Sequence, residues 1–228
     1  PLDQVASTVR VIEGDLLQSA PTVTLDQALR SLPTFTLFRR SDSLTANPTA
    51  QGVSLRGLGP SGASRSLVLL DGVPLNDPFG GWVAWTKLSR DNISSVELDP
   101  GGGATAWGNA ALGGVVQLFS GYPAPRSAST TLTFGDYGTR SAEIFGSVSA
   151  GKTTLDVSAR TFGTDGFSLI APERRGPIDI AAWSRHRFFT ARWRQELSRD
   201  VTFSATERGY EEKRGNGTPY QRNGSRER

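Results

Sequence analysis

Gly57-Leu58-Gly59-Pro60-Ser61-Gly62 spells G-x-G-x-x-G behind a short apolar run, the spacing with which a glycine-rich loop offers its amides to a dinucleotide pyrophosphate. That chemistry requires a helix to open directly after the loop, with its N-terminal amides aimed at the phosphates. The next segment is Ser66-Leu67-Val68-Leu69-Leu70, an apolar run bounded by turn formers, which reads as a buried strand. The loop therefore joins two strands. Gly59-Pro60-Ser61-Gly62 is not G-x-S-x-G either, and it too precedes a strand rather than a helix. The single histidine, His186, sits between Arg185 and Arg187 with no carboxylate or second histidine at ligand spacing. Glu211-Glu212 lie in a terminal polar tract, where solvation accounts for them. Without cysteine there is no thiolate zinc site and no thiol nucleophile. No catalytic residue, metal-ligating set or cofactor site emerges, and the chain does not read as an enzyme.

Binding chemistry is better represented. From Thr34 to Gln51 the chain is polar and broken, with Arg39, Arg40, Asp42, Asn47 and Gln51 along it, which marks an exposed loop. A second loop, Asn76 to Thr86, carries Phe79, Trp82 and Trp85 among glycines. Three aromatics are costly to leave in water and large enough to make a binding surface. Alternatively, Trp82 and Trp85 pack beneath the loop. The two arginines suit an anionic ligand, and the two tryptophans suit a sugar ring.

The elements that must hold these loops come in two grammars. In the first half, Val9 to Ile12 reads as a strand, followed by a helical turn over 13–18. Thr24 and Gln27 have capping-box spacing ahead of Leu25, Ala28, Leu29 and Leu32, and Pro33 ends that helix. Val53 to Arg56, Leu67 to Leu70 and Val73 to Leu75 are expected to form one small sheet, with Asp71-Gly72 as a tight turn. Ile93 to Leu98 and Val115 to Phe119 add strands, and Gly121 to Pro125 reads as a linker. After Pro125 the period becomes two. Leu155, Val157 and Ala159 alternate with Asp156, Ser158 and Arg160, and Phe189, Ala191 and Trp193 with Thr190, Arg192 and Arg194. Each strand then has one apolar and one polar face, as in a sheet with lipid on one side and a wet lumen on the other. Apart from a first short loop, long and short connections alternate, which suits the same architecture.

Composition sets the outer bounds. The chain has 228 residues, 36% hydrophobic, with a formal net charge of +3. No window approaches the ~18 apolar residues of a membrane-spanning helix, which leaves barrel strands of about 9–11 residues open. The basic residues are dispersed among acidic ones, so no nucleic-acid partner is expected. With no methionine even at position 1, the chain is expected to begin inside a longer coding sequence.

Ser54-Leu55-Arg56-Gly57, Leu67 through Asp77, Ile93-Ser94-Ser95-Val96-Glu97 and Ala104 through Val116 together resemble the plug domain of TonB-dependent outer-membrane receptors, in that family's order. The resemblance covers Val9 to Ser120 closely. It implies an α+β plug, a small mixed sheet with short helices, followed by antiparallel transmembrane β-barrel strands. The expected division is a plug over residues 1–121 and the N-terminal part of the barrel over 122–228. About five strands are readable where a closed membrane barrel needs at least eight, so the barrel is expected to be incomplete in this chain.

The resemblance further implies active transport of a scarce nutrient, of iron-siderophore type, across the bacterial outer membrane. The implied partners are TonB, a small-molecule metal chelate and outer-membrane lipid. The loops holding Arg39, Arg40, Asp42, Asn47, Gln51, Phe79, Trp82 and Trp85 correspond to ligand-facing apices. Arg56 matches an arginine that the family pairs with barrel carboxylates, and Glu97 is a second plug–barrel candidate. Pro100, Gly101 and Gly102 stand where the family has Arg-Gly-Pro, so that wall-locking arginine is absent, and no energy-coupling box is readable near Pro1. Cobalamin or oligosaccharide uptake is the alternative on the same scaffold. A surface carbohydrate-binding or adhesion β protein is the alternative outside it, and that protein would turn the apolar faces into a dry common core.

Overall fold

Leu67–Leu70 is buried at all four positions and forms the strand β4, with a partner on each side. The computed structural model describes residues 9–38, 41–55, 57, 64–101, 104–121 and 126–218, and the chain divides into two units, Pro1–Tyr122 and Pro123–Arg228.

In the first unit the elements are β1 (Arg10–Glu13), α1 (Gly14–Ser19), α2 (Leu25–Leu29), β2 (Phe35–Leu37), β3 (Val53–Leu55), β4, β5 (Val73–Pro74), β6 (Ile93–Asp99), α3 (Ala104–Trp107) and β7 (Val115–Ser120). Five of the strands form a mixed sheet in the order β1-β6-β7-β4-β5, in which only β4 and β7 run parallel. Asp71 and Gly72, with φ of 52° and 81°, make the two-residue turn between β4 and β5. The Asp71 carboxylate then reaches the end of β7, accepting from the Ser120 amide at 2.9 Å and hydroxyl at 2.7 Å.

Period-two alternation sends Ile12, Val96, Leu98, Val116, Leu118 and Val68 to one sheet face, where they pack with Leu25 and Leu29 of α2. Burying each of these side chains stabilises the unit by about 1.5–3 kcal/mol. Thr24 and Gln27 make the expected capping box. The helix itself stops at Leu29, and Leu32 joins the core from the following turn.

One expected pairing is wrong. Val53–Leu55 does not join β4 and β5 but pairs with Phe35–Leu37 in a separate two-stranded sheet. The supposed loop from Thr34 therefore begins with a strand. Phe35, Leu37, Val53 and Leu55 are all buried, so the two segments cover each other's edge while the side of β4 is taken by Val115–Leu118. The segment after the G-x-G-x-x-G stretch is a strand, as its composition requires; most of that stretch lies outside the described residues.

The second unit is a meander of β8 (Ser127–Gly135), β9 (Thr139–Ala150), β10 (Thr153–Thr164), β11 (Ser184–Glu196) and β12 (Thr202–Arg214), all antiparallel and open at β8 and β12. Gly151-Lys152 closes β9 onto β10, whereas residues 165–183 connect β10 to β11. The burial is the reverse of a soluble sheet. Leu132, Ile144, Leu155, Phe189 and Trp193 are exposed, while Asp156, Ser158 and Arg160 are buried.

The exposed apolar residues do not run straight across the strands. They descend from Leu132 and Phe134 near the far end of β8, through Ile144, Val157 and Trp193, to Val201 and Phe203 at the start of β12. At about 3.3 Å per residue and about 4.8 Å between strands, the band slopes at roughly 55–60° to the hydrogen-bonding direction. Barrel strands cross a bilayer tilted in the same manner, by about 45°.

Candidate functional site

Asn76 anchors the base of the aromatic loop. Its side chain accepts from the Val68 amide at 2.7 Å and donates to the carbonyls of Ser66 (3.2 Å) and Gly81 (2.9 Å), while its backbone bridges to Val83. Asp77 then folds the tip: its Oδ1 accepts from the amides of Phe79 (3.0 Å) and Gly80 (2.8 Å), and its backbone pairs with Trp82 and Gly81 at 2.8 Å. A loop closed this way holds Phe79 outward, 98% exposed. Trp82 is half-buried and lies back over Gly80, where an added Cβ would fall inside the indole ring. The loop thus presents the exposed Phe79 ring at its tip, where it can stack on a planar ligand.

Trp85 does not belong to that surface. It is 1% exposed and meets Phe35 edge-on, 5.7 Å between ring centres and 80° between planes. The 3-10 turn Trp85–Lys87 directs it into the core, which resolves the open alternative for this residue in favour of packing. Gln51 is likewise 1% exposed and not at the surface, because it sits directly before the buried strand β3. Among the described residues neither end of its amide has a hydrogen-bond partner.

Asp42 and Asn47 remain half-exposed but are engaged locally. Asp42 accepts from Gln27 Nε2 at 2.7 Å and the Leu44 amide at 3.0 Å, and Asn47 accepts from the Thr49 amide and hydroxyl. Arg39, Arg40 and Arg56 lie outside the described residues. Glu97 stands on the sheet face opposite the main core, in register with Val11 and Gln117 and half-buried, and burial pushes its carboxyl up.

Sequence reasoning missed the polar core behind this loop region. Asp26, fully buried in the first turn of α2, accepts from the Ser43 amide at 2.9 Å and pairs with its hydroxyl at 2.6 Å. Burial pushes this carboxyl up, the hydrogen bonds from Ser43 pull it part of the way back, and Asp42 nearby raises it further. Arg90 clamps the connection between α1 and α2 by donating to the carbonyls of Ala20 (2.9 Å) and Thr22. The available signal was an aspartate at a helix position whose neighbours Leu25, Ala28 and Leu29 are all apolar.

In the second unit the polar face carries matched charges. Arg192 donates to Asp156 at 2.9 and 2.8 Å, and Ser147 donates to the same carboxylate at 2.6 Å. Arg160 lies 3.9 Å from Glu143 and donates to Ser141 at 3.1 Å; Arg214 pairs with Glu212. Asp156 faces Arg192, and Glu143 faces Arg160, directly across the ladder, so hairpin registration alone would have revealed both pairs. His186, buried on this face, stacks on Phe162 at 4.7 Å.

A mixed-sheet module followed by antiparallel strands with a sloping exposed apolar band defines a class: a plug preceding the strands of a membrane β-barrel. The family model "TonB-dependent Receptor Plug Domain" matches residues 1–115, and the chain belongs to that family. It is 23% identical over 171 residues to the vitamin B12 transporter BtuB of Photobacterium profundum, covering 74% of this chain and 27% of that protein. It is 29% identical over 118 residues to a ferric enterobactin receptor of Pseudomonas aeruginosa, covering 46% of this chain and 15% of that protein.

Among solved structures, the ferric enterobactin receptor PfeA of Pseudomonas aeruginosa superposes with a TM-score of 0.66 at 17% identity, over 92% of this chain and 34% of that one. The siderophore receptor PirA of the same organism gives 0.62 at 18%, over 92% and 36%. These likenesses establish the fold. The chain spans about a third of the length of those structures and 15–27% of the two curated relatives.

Proposed function

We propose that this chain supplies the plug and first barrel strands of a TonB-dependent receptor in the bacterial outer membrane, one that imports a metal chelate of the iron-siderophore type. The observation that carries the membrane reading is the second unit's reversed burial. Its Leu, Ile, Val and Trp side chains are exposed on one face while Asp156, Arg160 and Arg192 stand on the other. That pattern opposes the adhesin alternative, which requires the same apolar side chains to meet in a dry core. Exposed apolar side chains against hydrocarbon cost nothing, whereas charges facing a lumen stay paired and hydrated.

On this reading the Phe79 tip and the loop bearing Arg39 and Arg40 contact the ligand. The plug's withdrawal is driven by the inner-membrane TonB complex, its partner across the periplasm. The names of the enterobactin receptor and PirA support a ferric chelate as substrate. A corrinoid is the second reading, supported by the likeness to BtuB over 74% of the chain.

The test is uptake by cells expressing the full-length polypeptide that carries this chain, with iron-55 enterobactin and radiolabelled cobalamin offered separately, with and without TonB. TonB-dependent accumulation of the iron label alone is the expected result. Accumulation of cobalamin alone selects the second reading. Recovery of the polypeptide in the soluble fraction overturns both.

A further inference from the structure

We propose that the loop between β2 and β3 is a strap latched shut against α2, and that Gln51, buried by its closure, leaves the core when the strap opens for ligand. The proposal rests on the receptor reading given above and concerns the regulation of that same site. Gln51 is 1% exposed, and among the described residues neither its amide nitrogen nor its amide oxygen has a hydrogen-bond partner. A side chain that can both donate and accept thus lies in the core doing neither. Methionine or leucine would fill much the same volume ahead of the buried Val53 and Leu55 without the penalty of an unpaired polar group. The glutamine therefore disfavours the closed strap, and its amide regains partners in a second, open arrangement.

The surroundings supply both the latch and the hinge. Ser43 donates to the Asp26 carboxylate from its amide at 2.9 Å and its hydroxyl at 2.6 Å, and Gln27 Nε2 donates to Asp42 at 2.7 Å. These three bonds join the strap to two adjacent residues near the start of α2. The underside of the strap is buried at Ser43, Thr45 and Ala46. Its base is fixed, because the Phe38 amide donates to the Gly52 carbonyl at 2.9 Å and carries the β2–β3 pairing one step further. Between latch and base lies the 3-10 turn Pro48–Ala50, closed by the Ala50 amide on the Asn47 carbonyl at 2.9 Å. Rotation of the backbone at this turn swings Gln51 outward while β3 stays paired.

Two effects oppose each other in the closed strap. The bonds to Asp26 and from Gln27, together with the buried underside, hold it shut, and the unpaired Gln51 amide pushes it open. Such a balance keeps the open form close in free energy to the closed one. A ligand that touches the strap then needs only a modest preference for the open form to shift the population. An apolar residue at position 51 would remove the opposing effect and leave the strap shut.

The experiment compares the full-length receptor with its Gln51→Met, Gln51→Leu and Ser43→Ala variants. Hydrogen exchange over residues 41–50, followed by mass spectrometry without ligand, reads how often the strap opens. Both Gln51 variants should raise protection there by about tenfold, since they relieve the closed form of its unpaired amide, and Ser43→Ala should lower it. Calorimetric affinity for ferric enterobactin should move the opposite way, weaker in Gln51→Met and tighter in Ser43→Ala, because the ligand draws on a rarer or a commoner open form. A purely structural role for Gln51 predicts the reverse sign, lower protection in both Gln51 variants, and that result overturns the proposal. Raised protection with unchanged affinity overturns it as well, since opening would then be independent of ligand. A wild-type receptor that binds cobalamin and not ferric enterobactin sinks the siderophore reading alone; the exchange measurement, and the same affinity comparison made with cobalamin, still decide the latch.

Discussion

Asp26 and Ser43 are joined twice inside the first unit, through the Ser43 amide at 2.9 Å and its hydroxyl at 2.6 Å, with both residues buried. The pair ties the first turn of α2 to the chain beyond β2. It therefore sets where the Thr34–Gln51 loop is held relative to the core.

The raised Asp26 carboxyl gives this junction a pH dependence of defined sign. A carboxyl whose folded pKa lies above its unfolded value, near 3.9, contributes stability below that value and loses it as pH rises through the folded pKa. Asp26→Asn preserves an acceptor for the Ser43 amide and a donor for its hydroxyl, and it should flatten that loss. Asp26→Ala removes the shared acceptor of the Ser43 amide and hydroxyl, at a cost of about 1–3 kcal/mol. Hydrogen-exchange protection of the α2 amides, measured from pH 4 to pH 7, checks both; identical pH slopes for wild type and Asp26→Asn would rule out the linkage.

Phe79 and Asp77 should separate binding from loop order. Phe79→Ala removes an almost fully exposed ring, so stability should stay within about 0.5 kcal/mol while ligand affinity falls by about tenfold. Asp77→Ala keeps the ring but removes the acceptor of the Phe79 and Gly80 amides, so it should weaken affinity by loosening the tip. Calorimetric titration with ferric enterobactin, the ligand class of the proposed function, alongside thermal unfolding, tells them apart. An unchanged affinity in Phe79→Ala would remove this loop from the site.

Local chemistry made most elements legible: the all-apolar Leu67–Leu70, the Asp71-Gly72 turn, the Thr24–Gln27 capping box and the period-two strands after Pro125 are each written within a dozen residues. The pairing of β3 with β2 was not, because Val53 and Leu55 fit any apolar edge, and the parallel partner of β4 lies far downstream at Val115. At the candidate site, Phe79, Trp82 and Trp85 are alike by type. Only the turn at Trp85–Lys87, a consequence of tertiary packing against Phe35, sends one of them inward. Asp26 was hidden for the same reason, since its partner Ser43 is fixed by the fold and not by helical spacing.

Gly114 is required where the chain enters β7. Its φ is 112°, and a Cβ there would approach Leu55 Cδ1 to 2.8 Å and press on the Asp99 carbonyl. Gly114→Ala combines a backbone conformation that L residues avoid with overpacking, and the two together should cost about 3 kcal/mol or more. The expected outcome is a large fall in the first unit's unfolding temperature with the β8–β12 meander unaffected. Hydrogen-exchange protection of the β6 and β7 amides, followed with temperature, reports the first unit, and an unaltered melting curve would show that β3 and β7 can separate freely.

Asp156 and Arg192 offer the sharpest test of the meander's polar face. The pair is closed by two nitrogen–oxygen contacts of 2.9 and 2.8 Å, with side-chain exposures of 8% and 13%, and Ser147 satisfies the remaining oxygen. Removing one partner of such a shielded pair costs up to about 3–5 kcal/mol, whereas replacing both with apolar residues of similar size is close to neutral. Asp156→Leu and Arg192→Met should therefore each lower the urea midpoint of the full-length protein sharply, and the double variant should recover most of the loss. Additive losses would mean that the two residues do not act as a pair. Recovery would show that the face's charges stabilise one another across the ladder, as a polar lumen wall in a lipid-embedded sheet demands.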